Sequence, residues 1–229
     1  MNIQRTLFFL ALIGMFAGVT SVVVAEEADD AEAAEADAEA ETETEEAAVA
    51  PAASNYDIDA AHSSLVFRIK HLDVGYVFGM FREFDGSFEF DEENPEESSF
   101  NFTIAANSVF TNVQDRDDHL RSPDFFAVEE HPEMTFASTA VEKTGDNTYK
   151  ITGDFTMRGV TQELSLIADQ TGTGVGRNDE FRRGFITTFA VNRMDHGVDF
   201  MPDGLGEYVR VTLSIQGIAQ EDSEEEPEA

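Results

Sequence analysis

Between Asn55 and Ala219 apolar residues recur at every second position over short runs. In SLVFRIKH, Leu65, Phe67, Ile69 and His71 fall on one side, and Val66, Arg68 and Lys70 on the other. SFEFD alternates Phe88 and Phe90 with acids, and SFNFTIA sets Phe100, Phe102 and Ile104 in line. MTFASTAVE, YKITGDFTM, ELSLIA, GFITTFAV and EYVRVTLSIQGI continue the pattern. Successive side chains of a strand point to opposite faces, so a period of two predicts half-buried strands. Turn signals separate them at Asp91 to Pro95, Gly145-Asp146-Asn147, Gly172 to Gly176 and Asp203-Gly204. One segment, Asn112 to Arg121, reads as helix, with Asp115 and Asp117 near its start and Arg121 near its end. About eight or more strands with one short helix predict an antiparallel barrel or sandwich.

The chain has 20 phenylalanines and no tryptophan. Most of the phenylalanines take the apolar parity of their strand, and two interiors are compatible with that. One is a sandwich core filled by its own rings. The other is an eight-stranded barrel whose bore holds one slender ligand between apolar walls. Parity places Phe67, Ile69, Phe88, Phe102, Ile104, Phe136, Phe155 and Phe189 in a common apolar interior in either case.

The flanks of this region are of a different kind. Arg5, an apolar run from Leu7 to Val19 and the ending Val23-Val24-Ala25 form the layout of a secretory leader over residues 1–25, cleaved after Ala25. A membrane anchor is the competing reading, but Gly14, Gly18, Thr20 and Ser21 break the run and no basic stop-transfer flank follows. Residues 26–54 carry 12 acids among alanines and threonines, and residues 220–229 carry 6 acids. Neither has an apolar face, so both read as solvated segments, a tether and a tail. The domain is expected over 55–219.

Charge and cysteine usage narrow the function. The chain has 14 Lys+Arg against 47 Asp+Glu, a net of −33, and no cysteine. Such a surface repels nucleic acid and anionic headgroups, and the core alone must stabilise the domain.

The densest chemistry is RDDHLRSPDFF, Arg116 to Phe126. An acid–base site needs a nucleophile with a positioned partner, and the chain has neither a cysteine nor a GxSxG elbow. A metal site needs clustered ligands, whereas His62, His71, His119, His131 and His196 form no HxH, HxxxH or HExxH pair. We therefore expect no catalytic residue, metal or cofactor. The segment reads instead as a cap on one barrel end. Leu120, Phe125 and Phe126 turn inward, Arg116 pairs with a carboxylate from a neighbouring strand end, and the polar groups satisfy one another. His71 shares the inward parity of its strand. It is either a hydrogen-bonded core histidine or a polar contact near the pore mouth for a quinone or phenol head. Arg158 and Thr161 in TMRGVT read as turn residues between strands.

From YDIDAAHSSLVFRIKHLDVGYVFGMFREFDGSFEFDEENP, through SVFTNVQDRDDHLRSPDFF and HPEMTFAST, to GDFTMRGVTQEL, the domain resembles the YceI-like family of secreted polyisoprenoid-binding proteins. The resemblance spans Tyr56 to Ala219 and leaves out the acidic flanks. It implies an all-β fold, a lipocalin-like extended eight-stranded antiparallel barrel with a short helix capping one end. It also implies a non-enzymatic, periplasmic or secreted protein that binds an isoprenoid lipid or quinone as its ligand. It carries or sequesters that lipid without stable membrane insertion. Phe67, Ile69, His71, Phe81, Phe88, Phe102, Ile104, Leu120, Phe126, Phe136, Phe155 and Phe189 are the candidate ligand-binding residues. The segments TGTGVGRNDEFRRG and NRMDHGVDFMPDGLGEY, the latter with His196 and Met201, depart from the family pattern, and as barrel-end loops they bear on what enters the pore. Two alternatives stay open: a lipid-modifying enzyme using His71 or His119, and a ligand-free structural barrel. A homodimer is a further possibility for a barrel with unpaired edges.

Overall fold

Short turns between alternating strands favour antiparallel pairing, and every strand pair here is antiparallel. The computed structural model describes residues 53–220; the expected leader, most of the acidic tether and the tail from Glu221 lie outside the described residues. The strands are β1 (Ala53–Ile58), β2 (Ser64–His71), β3 (Gly75–Phe81), β4 (Phe84–Asp91), β5 (Ser99–Ala105) and β6 (Val109–Phe110). One helix, α1 (Gln114–Arg121), precedes β7 (Glu133–Lys143), β8 (Thr148–Met157), β9 (Val160–Val175), β10 (Phe181–Asn192) and β11 (Tyr208–Ala219).

The strands β1, β4, β5, β7, β8, β9, β10 and β11 neighbour one another in that order, and β11 returns to β1. The ring is closed, with eight strands. β2, β3 and β6 lengthen it on one side. The hairpin β2–β3 continues the hairpin β1–β4 past a kink, as the registers Tyr56↔Phe88 and Leu65↔Phe81 show. β11 spans both halves, pairing β2 through Arg210–Ser214 and β1 through Gly217–Ala219.

Two ends result. At one, Tyr56, Phe88, Phe90, Phe100, Tyr149 and Phe185 are fully or almost fully buried. Phe88 stacks on Tyr56 at 4.6 Å between ring centroids and meets Phe185 edge-on at 5.6 Å. Arg183 seals this floor: its Nε donates to the Tyr56 hydroxyl, an Nη donates to Glu92, and the guanidinium lies over Phe90. At the other end the rings stand apart, and α1 with the loop after it lies between β6 and β7 in the chain.

Several expectations are corrected here. β1 begins at Ala53, inside the span read as tether, because Ala53 and Ser54 pair with Asp91 and Phe90. Gly172 to Gly176 is not the turn: β9 runs to Val175, and the reversal spans Gly176 to Glu180, closed by the Gly176 N–H on the Glu180 carbonyl. β1, β3 and β6 were not anticipated as strands. Of the two residues expected in the turn between β8 and β9, Arg158 is there, with Gly159, both at positive φ, where glycine is at ease, while Thr161 lies in β9 and bonds Thr156 across the pair.

Candidate functional site

Inward residues of β2, β3, β5, β7, β8, β10 and β11 surround a cavity of about 380 Å³ at the end opposite the floor. Leu65, Phe67, Ile69 and His71 line it from β2, Val77 and Phe81 from β3, and Val209 and Val211 from β11. Ile104, Met134, Phe155, Met157, Phe189 and Val191 complete the barrel wall. Gly79 lets the β2 wall lie flat: a Cβ there would sit 2.4 Å from the Phe67 ring. Among the described residues only His71, Thr111, Arg116, His119 and Arg193 bring polar side chains to the lining. A second, much smaller space of about 30 Å³ lies deeper, bordered by Phe102, Phe136, Thr187 and Leu213 among others. On β5, β7 and β11 its residues stand two positions from those of the large cavity, so the two spaces follow one another along the bore.

The roof is built by polar groups that spend their hydrogen bonds on the fold. In α1, Asp117 is buried and accepts from the Thr111 N–H and hydroxyl. Arg116 donates to the hydroxyl and carbonyl of Thr111, and Arg121 donates to the carbonyls of Asn107 and Val109. The expected carboxylate partner of Arg116 is therefore replaced by Thr111, six-residue neighbour Asp117 being already bound to the same threonine. His119 is bonded to Asp124 at 2.8 Å, and its ring meets Phe125 and Phe200 edge-on at 5.0 Å. Leu120, Phe125 and Phe126 line the cavity, as the inward half of the cap.

A second roof element is the loop after β10. Arg193 is almost fully buried and donates to the carbonyls of Val198, Phe200, Leu205 and Gly206. Burial pushes its pKa down, opposed by the charges of Asp199 and Glu207. The guanidinium fork is the side chain able to satisfy four carbonyls at once. It holds Phe200, Met201 and Leu205 against the cavity. His196, in the same loop, is packed against Phe155 with its Nδ1 3.0 Å from the Val160 carbonyl oxygen, away from the cavity lining.

Phe67, Ile69, His71, Phe81, Ile104, Leu120, Phe126, Phe155 and Phe189 are brought together around the large cavity. Phe102 and Phe136 border the small one instead, 6.4 Å apart. Phe88 lines neither; it is part of the solid floor. His71 is half-buried at the end of β2, bridged through its backbone to Leu205, and its imidazole hydrogen-bonds to no described residue. The reading as a bonded core histidine does not hold for it. Val191, Met134 and Met157 were missed although each lies two residues from a named phenylalanine or in line with one. Thr111, Arg116, Arg193 and Phe200 come from the roof, which strand parity does not reach. Among the described residues no group of His, Asp and Glu is placed to hold a metal ion, and no helix is long and apolar enough to cross a membrane.

Comparison with known proteins agrees with this architecture. A UPF0312 protein of Pectobacterium atrosepticum is 39% identical over 165 residues, covering 72% of this chain and 85% of that protein. A UPF0312 protein of Pseudomonas aeruginosa is 40% identical over 170 residues, covering 73% and 88%. Among solved structures, BcnA of Burkholderia cenocepacia superposes with a TM-score of 0.64 at 21% identity, over 70% of this chain and 99% of that one. The YceI protein of Campylobacter jejuni gives 0.60 at 28% identity, over 66% and 90%. A polyisoprenoid binding domain from Saccharophagus degradans gives 0.55 at 14% identity, over 72% and 98%. The model of the YceI-like domain matches residues 56–217, which is the closed barrel with its cap and both cavities. The chain belongs to the YceI-like family.

Proposed function

We propose that the barrel binds the hydrocarbon chain of an isoprenoid amphiphile, such as a quinone, and carries or sequesters it without chemical change. The observation that carries this reading is the cavity itself: an apolar bore above a solid floor, with polar side chains confined to a few positions. Taking the ~30 Å³ share of a water molecule as a yardstick, about 380 Å³ accepts about a dozen methylene-sized groups. At about 0.8 kcal/mol each, their burial is worth on the order of 10 kcal/mol before association costs of several kcal/mol. A longer chain projects from the mouth or presses Phe102 and Phe136 aside toward the second space. His71, with no hydrogen bond to a described residue, is the contact for a polar head. The polyisoprenoid-binding relative supports the isoprenoid class, and the leader expected at residues 1–25 supports a periplasmic or secreted site of action.

The bound His119–Asp124 pair gives the enzyme alternative its one foothold. Against it, the cavity's hydroxyl, on Thr111, is already committed to Asp117 and Arg116. Solvent extraction of the purified protein followed by mass spectrometry should release an intact isoprenoid compound. Turnover of that compound, lost in His119→Ala, would instead favour the enzyme. Ile104→Trp should fill the bore, leaving apo stability nearly unchanged while uptake of farnesol disappears. In a solid core the same change costs about 1–3 kcal/mol, and that loss with farnesol uptake retained would refute the carrier reading.

A further inference from the structure

The sheet that walls the cavity on its inner side carries an unusual outer side. Outward residues form the row Arg210–Arg68–Phe78 across β11, β2 and β3, with Lys70–Tyr76 beside it across β2 and β3 and Tyr208 two residues before Arg210 on β11. Met80 continues the β3 row and is paired with Phe110 of β6. In a chain of net charge −33, no outward position in these paired segments is acidic. The acids stand elsewhere on the barrel, with Asp85 and Glu89 on β4 and Asp154, Glu163 and Asp169 on β8 and β9.

The arginines of this face are also spared from carboxylates. The Arg68 guanidinium lies over Tyr76 at 5.0 Å, and that of Arg82 over Phe110 at 3.6 Å. Among the described residues neither these two nor Arg210 forms a salt bridge. Lys70 pairs with the exposed Asp73, Glu207 stands one residue before β11, and the exposed Asp203 adjoins Gly204 in the roof loop. The aromatics are exposed, Phe78 by 57% and Tyr208 by 62%. In the β2–β3 turn the face runs into Leu72 and Val74, the latter 90% exposed, beside the cavity-lining His71. The Leu72 N–H donates to the Gly204 carbonyl, tying that turn to the roof loop that carries Phe200 and Met201.

We propose that this basic, aromatic face is a docking surface for a phospholipid bilayer, on which the barrel lies with its mouth at the headgroup level. Exposed tyrosine and phenylalanine suit the interface between water and hydrocarbon, and unpaired arginines suit lipid phosphates. A second copy of this chain is a poorer occupant. Two-fold pairing would set Arg68 and Arg210 against the same residues of the other copy. The assignment rests on the cavity holding a lipid chain, which it supplies with a route of entry. Interfacial contact of this kind is shallow, with no strand crossing the bilayer.

The test is co-sedimentation of the purified protein with phosphatidylcholine vesicles with and without phosphatidylglycerol, at low and high salt. Binding to the anionic vesicles at low salt should weaken as salt screens it. The double variant R68Q/R210Q should lose about 25-fold in affinity, at about fivefold per cation. Y76S/F78S should lose roughly ten- to hundredfold. D154N/E163Q, on the opposite side, makes the chain less acidic yet should bind no worse than the parent. Farnesol uptake from solution, measured in parallel, should be unchanged in all three. Absence of vesicle binding at low salt, with farnesol uptake intact, overturns the docking surface and spares the carrier reading. Vesicle binding without farnesol uptake does the reverse. A dimer in light scattering that Y76S/F78S dissolves, without vesicle binding, overturns the proposal in favour of self-association.

Discussion

Replacing Arg193 by methionine tests the roof. The side chain is almost fully buried and reaches four carbonyl oxygens at 2.9 Å (Gly206), 2.5 Å (Val198), 3.0 Å (Phe200) and 3.2 Å (Leu205). A hydrogen bond to a charged group is worth about 1.5–3 kcal/mol. Summing four of them overshoots, because burial of the guanidinium opposes them and the freed carbonyls can turn partly to water. The net expectation for Arg193→Met is a loss of about 3–5 kcal/mol, the range seen when a buried ionic network is broken. That is a large share of the ~5–15 kcal/mol that stabilises a typical domain. Chemical denaturation gives the total. Amide exchange locates it, because the Val198 N–H bonds within this loop and the Leu72 and Gly206 N–H groups tie it to β2 and its turn. If the loop lets go locally, these amides lose protection first, farnesol binding weakens, and the global loss falls below the range. Arg193→Lys keeps the charge but not the fork and should recover little. A loss under about 1 kcal/mol with those amides still protected would refute the role assigned to the strap.

Phe88→Ala should cost about 3–5 kcal/mol in thermal or chemical unfolding, since its ring is packed on all sides in the floor, whereas Phe189→Ala at the cavity wall should cost clearly less. The Asp59 carboxylate is held down to about 2, first by its bond from Arg182 and then by His62. A depressed folded-state pKa gives stability that is present above the unfolded value of 3.8 and lost as pH falls toward 2. The stability gap between the parent and Asp59→Asn should therefore be about 2 kcal/mol at neutral pH and close between pH 4 and 2.

Strand parity was enough to say which residues face inward, but it allows a sandwich as well as a barrel, and the closed barrel was expected from the family resemblance. Parity carries no information about height along the bore. Phe88, Phe102 and Phe155 share the same inward sense, yet one lies in the floor, one at the deep gap and one at the large cavity. Height is set by which strands pair and in what register, and that is decided between segments far apart in the chain. β3 escaped notice for a local reason. In GYVFGMF the inward Val77 and Phe81 alternate with the outward Tyr76, Phe78 and Met80, so both faces are apolar and no period of two survives. The residues that hid the strand are those of the proposed docking face. The cap segment was legible because its helix and inward phenylalanines are contiguous in sequence. The Arg193 strap was not, since its partners are carbonyls and leave no trace in side-chain pattern.

The first and last described strands lie side by side: Tyr56 pairs with Ala219, and the Gln220 N–H donates to the Asn55 carbonyl. A growing chain therefore exposes the free edges of β1, β2 and β10 until its C-terminal strand has been made. Closure is the most non-local step the topology contains, and such steps slow folding and lengthen exposure to aggregation. Loss of β11 through an early stop would leave β10, β1 and β2 with open edges rather than a smaller barrel. The same adjacency makes the chain a good subject for circular permutation. A short bridge from Gln220 to Ala53, with new ends cut at the β8–β9 turn, would turn the slowest pairing into a local hairpin.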